Sequence, residues 1–196
     1  MADDLHAQAR QALDRGDPDA ARDLLAKAHA ASPDDAEIRE LYAGLLLAHA
    51  IHLATDARDA RRRDIARRKI PYDEEFQDSP EVARAFDAAL AAHDAVLAVE
   101  TGHEKALMMK ATLLFRRDRV TGREAALAIL RGLEAAHPDH KQVTFLLKKV
   151  GTPCPRCTDT GFCPYCAGRG VRTILRFERV CEKCHSDGIC PVCGVL

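Results

Sequence analysis

Residues 154–193 read CPRCTDTGFCPYCAGRGVRTILRFERVCEKCHSDGICPVC. All eight cysteines of the chain lie in this stretch, as four C-x-x-C pairs: Cys154/Cys157, Cys163/Cys166, Cys181/Cys184 and Cys190/Cys193. Five residues separate Cys157 from Cys163, and five separate Cys184 from Cys190. The longer run Ala167 to Val180 divides the stretch into two halves. A two-residue spacer lets both sulfurs of a pair face one ion from a tight turn, and structural zinc takes four such ligands tetrahedrally. Eight thiolates therefore fit two closed four-cysteine sites, with two Zn2+ per chain and no cysteine left over as a nucleophile. Four disulfides would need an oxidising compartment, and the spacings do not match ferredoxin-type iron–sulfur runs. Neither half is long enough to bury a core, so metal ligation is expected to supply most of its folding free energy.

The rest of the chain points to helices. It has 196 residues, enough for one or two small domains. Hydrophobic residues make up 47% but aromatics only 5%, with no tryptophan, so alanine and leucine carry the apolar load. That favours helices packed closely through small residues over a β-rich core. The formal net charge of -1 gives no bulk drive toward nucleic acid or an anionic membrane. The acidic start MADDLHAQAR has no apolar core of a signal peptide. No apolar run approaches the length that spans a bilayer. A cytoplasmic chain with reduced thiols is expected.

Read in order, residues 3–15 form a first helix ended by Gly16-Asp17. Pro18 opens a second, with Asp17 as its cap, and Ser32-Pro33 stops it near Ala31. A third carries the stripe Ile38, Leu41, Tyr42, Leu45, Leu46 and Ile51. The spacing G-D-x-x-x-A-x-x-x-L-x-x-A-x-x-x-x-P, realised by Gly16, Asp17, Ala21, Leu25, Ala28 and Pro33, resembles a tetratricopeptide repeat. Ser79-Pro80-Glu81 restarts a helix, Glu104 to Arg117 is another, and a further one has Ala126, Leu130 and Leu133 before His137-Pro138-Asp139. Residues 140–150 close the array. The expectation is a mostly α fold: a tetratricopeptide-like array of antiparallel helical hairpins over 1–150, joined through Gly151-Thr152-Pro153 to a small zinc-bound β-hairpin and knuckle domain over 151–196. His137-Pro138-Asp139 is also the tripeptide of J-domains. Here a proline that ends a repeat helix accounts for the same letters, and no J-domain is assigned.

Residues 54–79 interrupt the array. Arg58, Arg61, Arg62, Arg63, Arg67, Arg68 and Lys69 are followed by Asp73, Glu74, Glu75 and Asp78. One reading is a solvated helical extension whose opposite charges pair locally. The other is a docking site for an acidic partner through Arg61, Arg62 and Arg63.

Glycines follow three of the knuckles. Gly161 and Gly188 stand alone, while Gly168 and Gly170 complete C-x-x-C-x-G-x-G after Cys166. Glycine permits a positive φ that turns backbone amides toward thiolates. Four such units resemble the cysteine-rich zinc domain of DnaJ-type co-chaperones, over about residues 153–194. The resemblance implies that the first unit pairs with the fourth and the second with the third. One zinc would then take Cys154, Cys157, Cys190 and Cys193, and the other Cys163, Cys166, Cys181 and Cys184. Two units lack the first glycine, and a sequential pairing of each half on itself stays open. The run VRTILRFERV suits a β-hairpin arm, whose alternation places Ile174 with Arg176 and Leu175 with Phe177.

The family uses this domain on non-native or unassembled polypeptide. Phe162, Tyr165, Ile174, Leu175 and Phe177 are the candidate contacts, since so small a domain cannot bury them all. The function expected is a non-enzymatic, chaperone-like assembly factor or adaptor that binds partner polypeptides. A nucleic-acid-binding knuckle protein is the first alternative. Against it, eight thiolates and two zinc ions bring the segment from Gly151 on to a net charge of about -2. A thiol redox sensor is the second, and closed four-thiolate sites lack the open position it would use.

Overall fold

The computed structural model describes residues 1–68 and 77–193. Among the described residues seven helices precede one hairpin: α1 (Ala2–Asp14), α2 (Pro18–Ala31), α3 (Ala36–Arg68), α4 (Pro80–Val99), α5 (Glu104–Arg117), α6 (Thr121–Ala136), α7 (Lys141–Gly151), β1 (Val171–Ile174) and β2 (Phe177–Val180). The fold is mostly α, with the small antiparallel hairpin set among the cysteines. Lys69, Asp73, Glu74 and Glu75, with Gly194-Val195-Leu196, lie outside the described residues.

The helix boundaries follow from capping. Asp17 accepts the Ala20 amide at 3.0 Å, and Ser79 accepts that of Val82 at 3.4 Å, each ahead of a proline in the first turn. His103 and His140 cap α5 and α7 through Nδ1, a role not read from the sequence. Asp118 accepts the Val120 and Thr121 amides at the start of α6. Gly122 lies inside that helix and is buried. A Cβ there would collide with the Leu114 carbonyl, so the missing side chain lets α6 close on α5.

Packing runs between neighbours in sequence. Ala9, Ala12, Ala21, Leu25, Ala28 and Ile38 join α1, α2 and the start of α3. Leu46, Leu47, Ala50, Val96 and Ala106 join α3, α4 and α5. Met108, Phe115, Leu127, Leu130, Val143 and Leu146 join α5, α6 and α7. Small alanines at the crossings let the axes approach, as the alanine–leucine spacing required. Phe145 of α7 is exposed beside Lys149.

The interruption takes a definite form. α3 continues without a break to Arg68, and its second half is not a solvated extension. Ala57, Arg61, Asp64 and Ile65 are buried, and Ala57 packs in a core with Val82, Phe86, Ala89 and Leu90 of α4. From Ala43 to Ile65 the buried residues recur at helical spacing on one stripe, while Ile38 faces α1 and α2 instead. The opposite charges do meet locally. Arg61 grips the Asp78 carboxylate with Nε and NH2, and Arg67 and Arg68 reach Asp64 at 2.6 and 3.2 Å. Those two arginines hold the Asp64 carboxyl below its ordinary pKa despite the burial that would raise it.

The hairpin departs from the expected alternation. Val171 pairs with Val180 and Ile174 with Phe177, and Leu175-Arg176 form the two-residue turn with φ of 50° and 71°. Positive φ at both central positions is the turn whose twist suits a two-residue hairpin. Two turn residues between paired strands put Ile174 and Phe177 on one face as a direct cross-strand pair, rather than on opposite faces.

Candidate metal centres

Each C-x-x-C sits in a tight turn, and the turns are brought together in nested order. Cys154, Cys157, Cys190 and Cys193 form one group, and Cys163, Cys166, Cys181 and Cys184 the other, with all sulfurs of a group within 4.8 Å. The sequential pairing is not the one adopted. Two short ladders impose this order. Phe162 bridges Ile189, with Cys163 N–H donating to Gly188 O at 2.9 Å and Cys190 N–H to Gly161 O at 3.0 Å. The hairpin then closes the inner pair, with Cys181 N–H donating to Gly170 O at 2.9 Å.

The sulfur geometry fits a tetrahedral ion. Sγ–Sγ distances are 4.0 Å for Cys154–Cys190, 3.4 Å for Cys157–Cys193, 3.9 Å for Cys163–Cys181 and 3.7 Å for Cys166–Cys184. Four sulfurs at about 2.3 Å from a central zinc lie about 3.8 Å apart, whereas a disulfide needs about 2.05 Å. All eight cysteines are free and buried. Amides of Gly161, Gly170 and Gly188, each at positive φ, point at Cys157, Cys166 and Cys184 Sγ at 3.3–3.4 Å. Donors aimed at sulfur stabilise thiolate over thiol.

Where the first glycine is missing, the backbone turns the same way. Asp159 and Ser186 hold φ of 70° and 69°, beside 76° at Gly168. Asp159 has a compensation. Its Oδ1 accepts the Cys154 amide at 3.0 Å, and its Oδ2 takes Arg123 of α6. Electrostatics within each group are those of a site that needs a cation. Against burial, the Cys157 and Arg156 amides hold the Cys154 thiol down at about 7. Burial and the neighbouring sulfurs push the Cys184 and Cys193 thiols up. Four thiolates this close ionise together only around a positive ion.

The join to the helices is not bare. Arg62 of α3 pairs with Asp187 at 2.8 Å, Arg119 NH1 donates to Cys193 Sγ at 3.4 Å, and Lys149 Nζ donates to Val192 O at 3.3 Å. Arg119 and Arg123 both lie over the ring of Phe115, which fixes their direction. None of these links is visible in the spacing of motifs, because each joins residues far apart in the chain.

The candidate partner contacts divide. Leu175, Phe177 and Ile174 are 87%, 72% and 44% exposed at the hairpin end, and Val180, at its base opposite Val171, is exposed as well. Tyr165 is exposed between Arg156 and Lys183. Phe162 is half-buried in the bridge to Ile189. Arg62 and Arg63 are exposed, but Arg61 is buried. Besides Asp78 it binds the Arg116 and Arg117 carbonyls that end α5, at 2.6 and 2.9 Å, and lies 4.1 Å over Phe86. It is an internal tie and not a docking residue. Apart from this site, a groove runs along the helices in two cavities of about 800 and 700 Å3 that share Glu100 and His103, with Arg10 and Glu40 at one end and Met109 and Gln142 at the other.

No curated protein and no solved structure matches the chain. No described helix is long and apolar enough to cross a membrane. A tetratricopeptide-repeat family model matches residues 2–45, which hold α1, α2 and the opening of α3, and such a repeat is a protein–protein interaction unit.

Proposed function

We propose that this chain is a zinc-binding adaptor or assembly factor, without catalytic activity of its own, that holds partner polypeptides in the cytoplasm. The observation that carries the reading is the pair of buried four-sulfur cages beneath a hairpin whose end exposes Leu175, Phe177 and Ile174. Zinc is the ion of choice for four thiolates at tetrahedral spacing. The nested pairing and hairpin arm support the likeness to DnaJ-type zinc domains, and with it a chaperone-like role toward unassembled chains. The groove from Arg10 to Gln142 supports a second contact, made by the helical repeats. The hairpin is too small to bury its apolar end, and a leucine at positive φ costs about 1–2 kcal/mol, which a merely structural turn would avoid with glycine or asparagine.

The test is suppression of aggregation, followed by light scattering, with chemically unfolded citrate synthase as client. The zinc-loaded chain is expected to suppress it. The double variant Leu175→Asp, Phe177→Asp should lose most of that effect while keeping its metal. Equal suppression by the double variant would remove the hairpin from the mechanism.

A further inference from the structure

A cavity of about 60 Å3 lies where the helices meet the cysteine segment. Its helical wall carries Arg58 and Arg62 of α3, Arg116 of α5 and Arg119 of the α5–α6 turn. Its apolar floor is Phe162 and Ile189 from between the knuckles, next to the fully buried Phe86 of α4, whose ring Arg61 covers. Arg61 also borders it, but Asp78 neutralises that guanidinium. Arg62 is shared with Asp59 and Asp187 on the rim, and Arg119 leans on Cys193. The side chains of Arg58 and Arg116 have no carboxylate or carbonyl partner among the described residues.

That arrangement is costly for a fold that gains nothing from it. Arg116 is half-buried, and burial together with Arg58 and Arg119 pushes its pKa down to about 10. Partly desolvated like charges repel. A guanidinium fork unmatched beside an apolar floor suits a ligand that brings a carboxylate and an apolar side chain together. The size admits one such side chain and not a folded surface.

We infer that this cleft is a binding site for an acidic polypeptide segment, seating an apolar side chain against Phe162 and Ile189 while Arg58 and Arg116 clamp the flanking carboxylates. That floor hangs on the outer cage. Phe162 and Ile189 form the bridge that brings Cys163 and Cys190 into place, and Arg119 reaches Cys193. The cleft is therefore complete only when the four sulfurs of Cys154, Cys157, Cys190 and Cys193 are drawn together. Binding of the acidic segment depends on bound metal, although no metal touches the ligand. This inference rests on the zinc reading above and adds to it the charge class of the partner.

The test is fluorescence anisotropy with a labelled hexapeptide alternating aspartate and leucine, on zinc-loaded full-length chain whose metal content is measured in the same sample. The peptide should bind, and its lysine-for-aspartate counterpart should not. Arg116→Met and Arg58→Gln should each weaken binding by about tenfold, the loss of one charge-assisted contact. Arg116→Met should also raise Tm, since it keeps the stem and removes the repulsion. Leu175→Asp with Phe177→Asp should bind the hexapeptide like wild type, which separates the cleft from the hairpin. Chelation should abolish binding, and zinc should restore it.

Wild-type affinity in Arg116→Met would overturn the proposal, as would tighter binding of a labelled oligothymidylate than of the acidic peptide. A chain that holds two metal ions yet ignores the hexapeptide fails this inference alone. A chain that holds no metal fails the zinc reading first.

Discussion

The guanidinium of Arg119 donates to Sγ of Cys193 across 74 residues of sequence, at 3.4 Å. It comes from the turn between α5 and α6 and lies 4.5 Å from the centre of the Phe115 ring. A cation beside one sulfur drains charge from that thiolate and orients it, the role that outer-shell partners play at metal sites. Gly161 leaves room for it, since a side chain there would meet the guanidinium.

Arg119→Gln should therefore weaken metal retention at Cys154, Cys157, Cys190 and Cys193 by about 10–100-fold, and leave Cys163, Cys166, Cys181 and Cys184 as they are. Chelator competition should turn from one phase into two, with half of the metal leaving early. A uniform shift of both halves would contradict a local role for Arg119.

Arg61 and Asp78 tie α3, the start of α4 and the end of α5 into one buried knot. Arg61→Ala leaves the Asp78 carboxylate and the last carbonyls of α5 without their donor. It should cost about 3–5 kcal/mol, read as a fall in the midpoint of denaturant unfolding. Arg61→Leu combined with Asp78→Leu should recover much of that loss, because a half-broken buried pair is worse than none.

His93 of α4 is fully buried. Its Nδ1 faces the Ala89 carbonyl at 2.8 Å, so Nδ1 carries the proton, and Nε2 has no partner among the described residues. Burial holds the imidazole below its ordinary pKa, with the Ala89 carbonyl and Asp94 opposing the shift and Lys110 adding to it. The unfolded chain then binds a proton that the folded chain refuses. Stability is full above pH of about 6.5 and falls as the solution becomes more acidic. His93→Leu should flatten this dependence between pH 5 and 7 in thermal melts. An unchanged slope would assign it elsewhere.

Ser186 and Asp159 occupy equivalent turn positions at positive φ, yet only Asp159 is tied by its carboxylate to Cys154 N and Arg123. Ser186→Gly should stabilise the metal-bound chain by about 1 kcal/mol. Asp159→Gly should destabilise it despite the same relief of strain. Calorimetry on both variants decides whether strain or tethering dominates at each turn.

The helical architecture was legible because its signals are local: the Asp17-Pro18 and Ser79-Pro80 caps, the alanine–leucine spacing, and the glycine after each of three knuckles. The cysteine groups were legible for the same reason; spacing alone left their pairing open, the resemblance implied a nested order, and the Phe162–Ile189 bridge and the hairpin are what build it. What stayed hidden depends on contacts between distant residues. The basic run looked like solvated charge, but Arg61 and Asp64 turn inward because α4 lies along the second half of α3. The face of Phe177 was misread because turn length, and not alternation, sets register in a hairpin. Arg116 and Arg119 carried no signal at all, since only the tertiary fold sets them against Arg58 and the knuckles.

The measurement that bears most directly on the account is native mass spectrometry of the reduced chain, with thiol titration on the same sample. Two zinc ions per chain, and eight thiols that react only after chelation, are the predicted result. Fewer than two ions, or thiols that react freely while the metal stays bound, would contradict it.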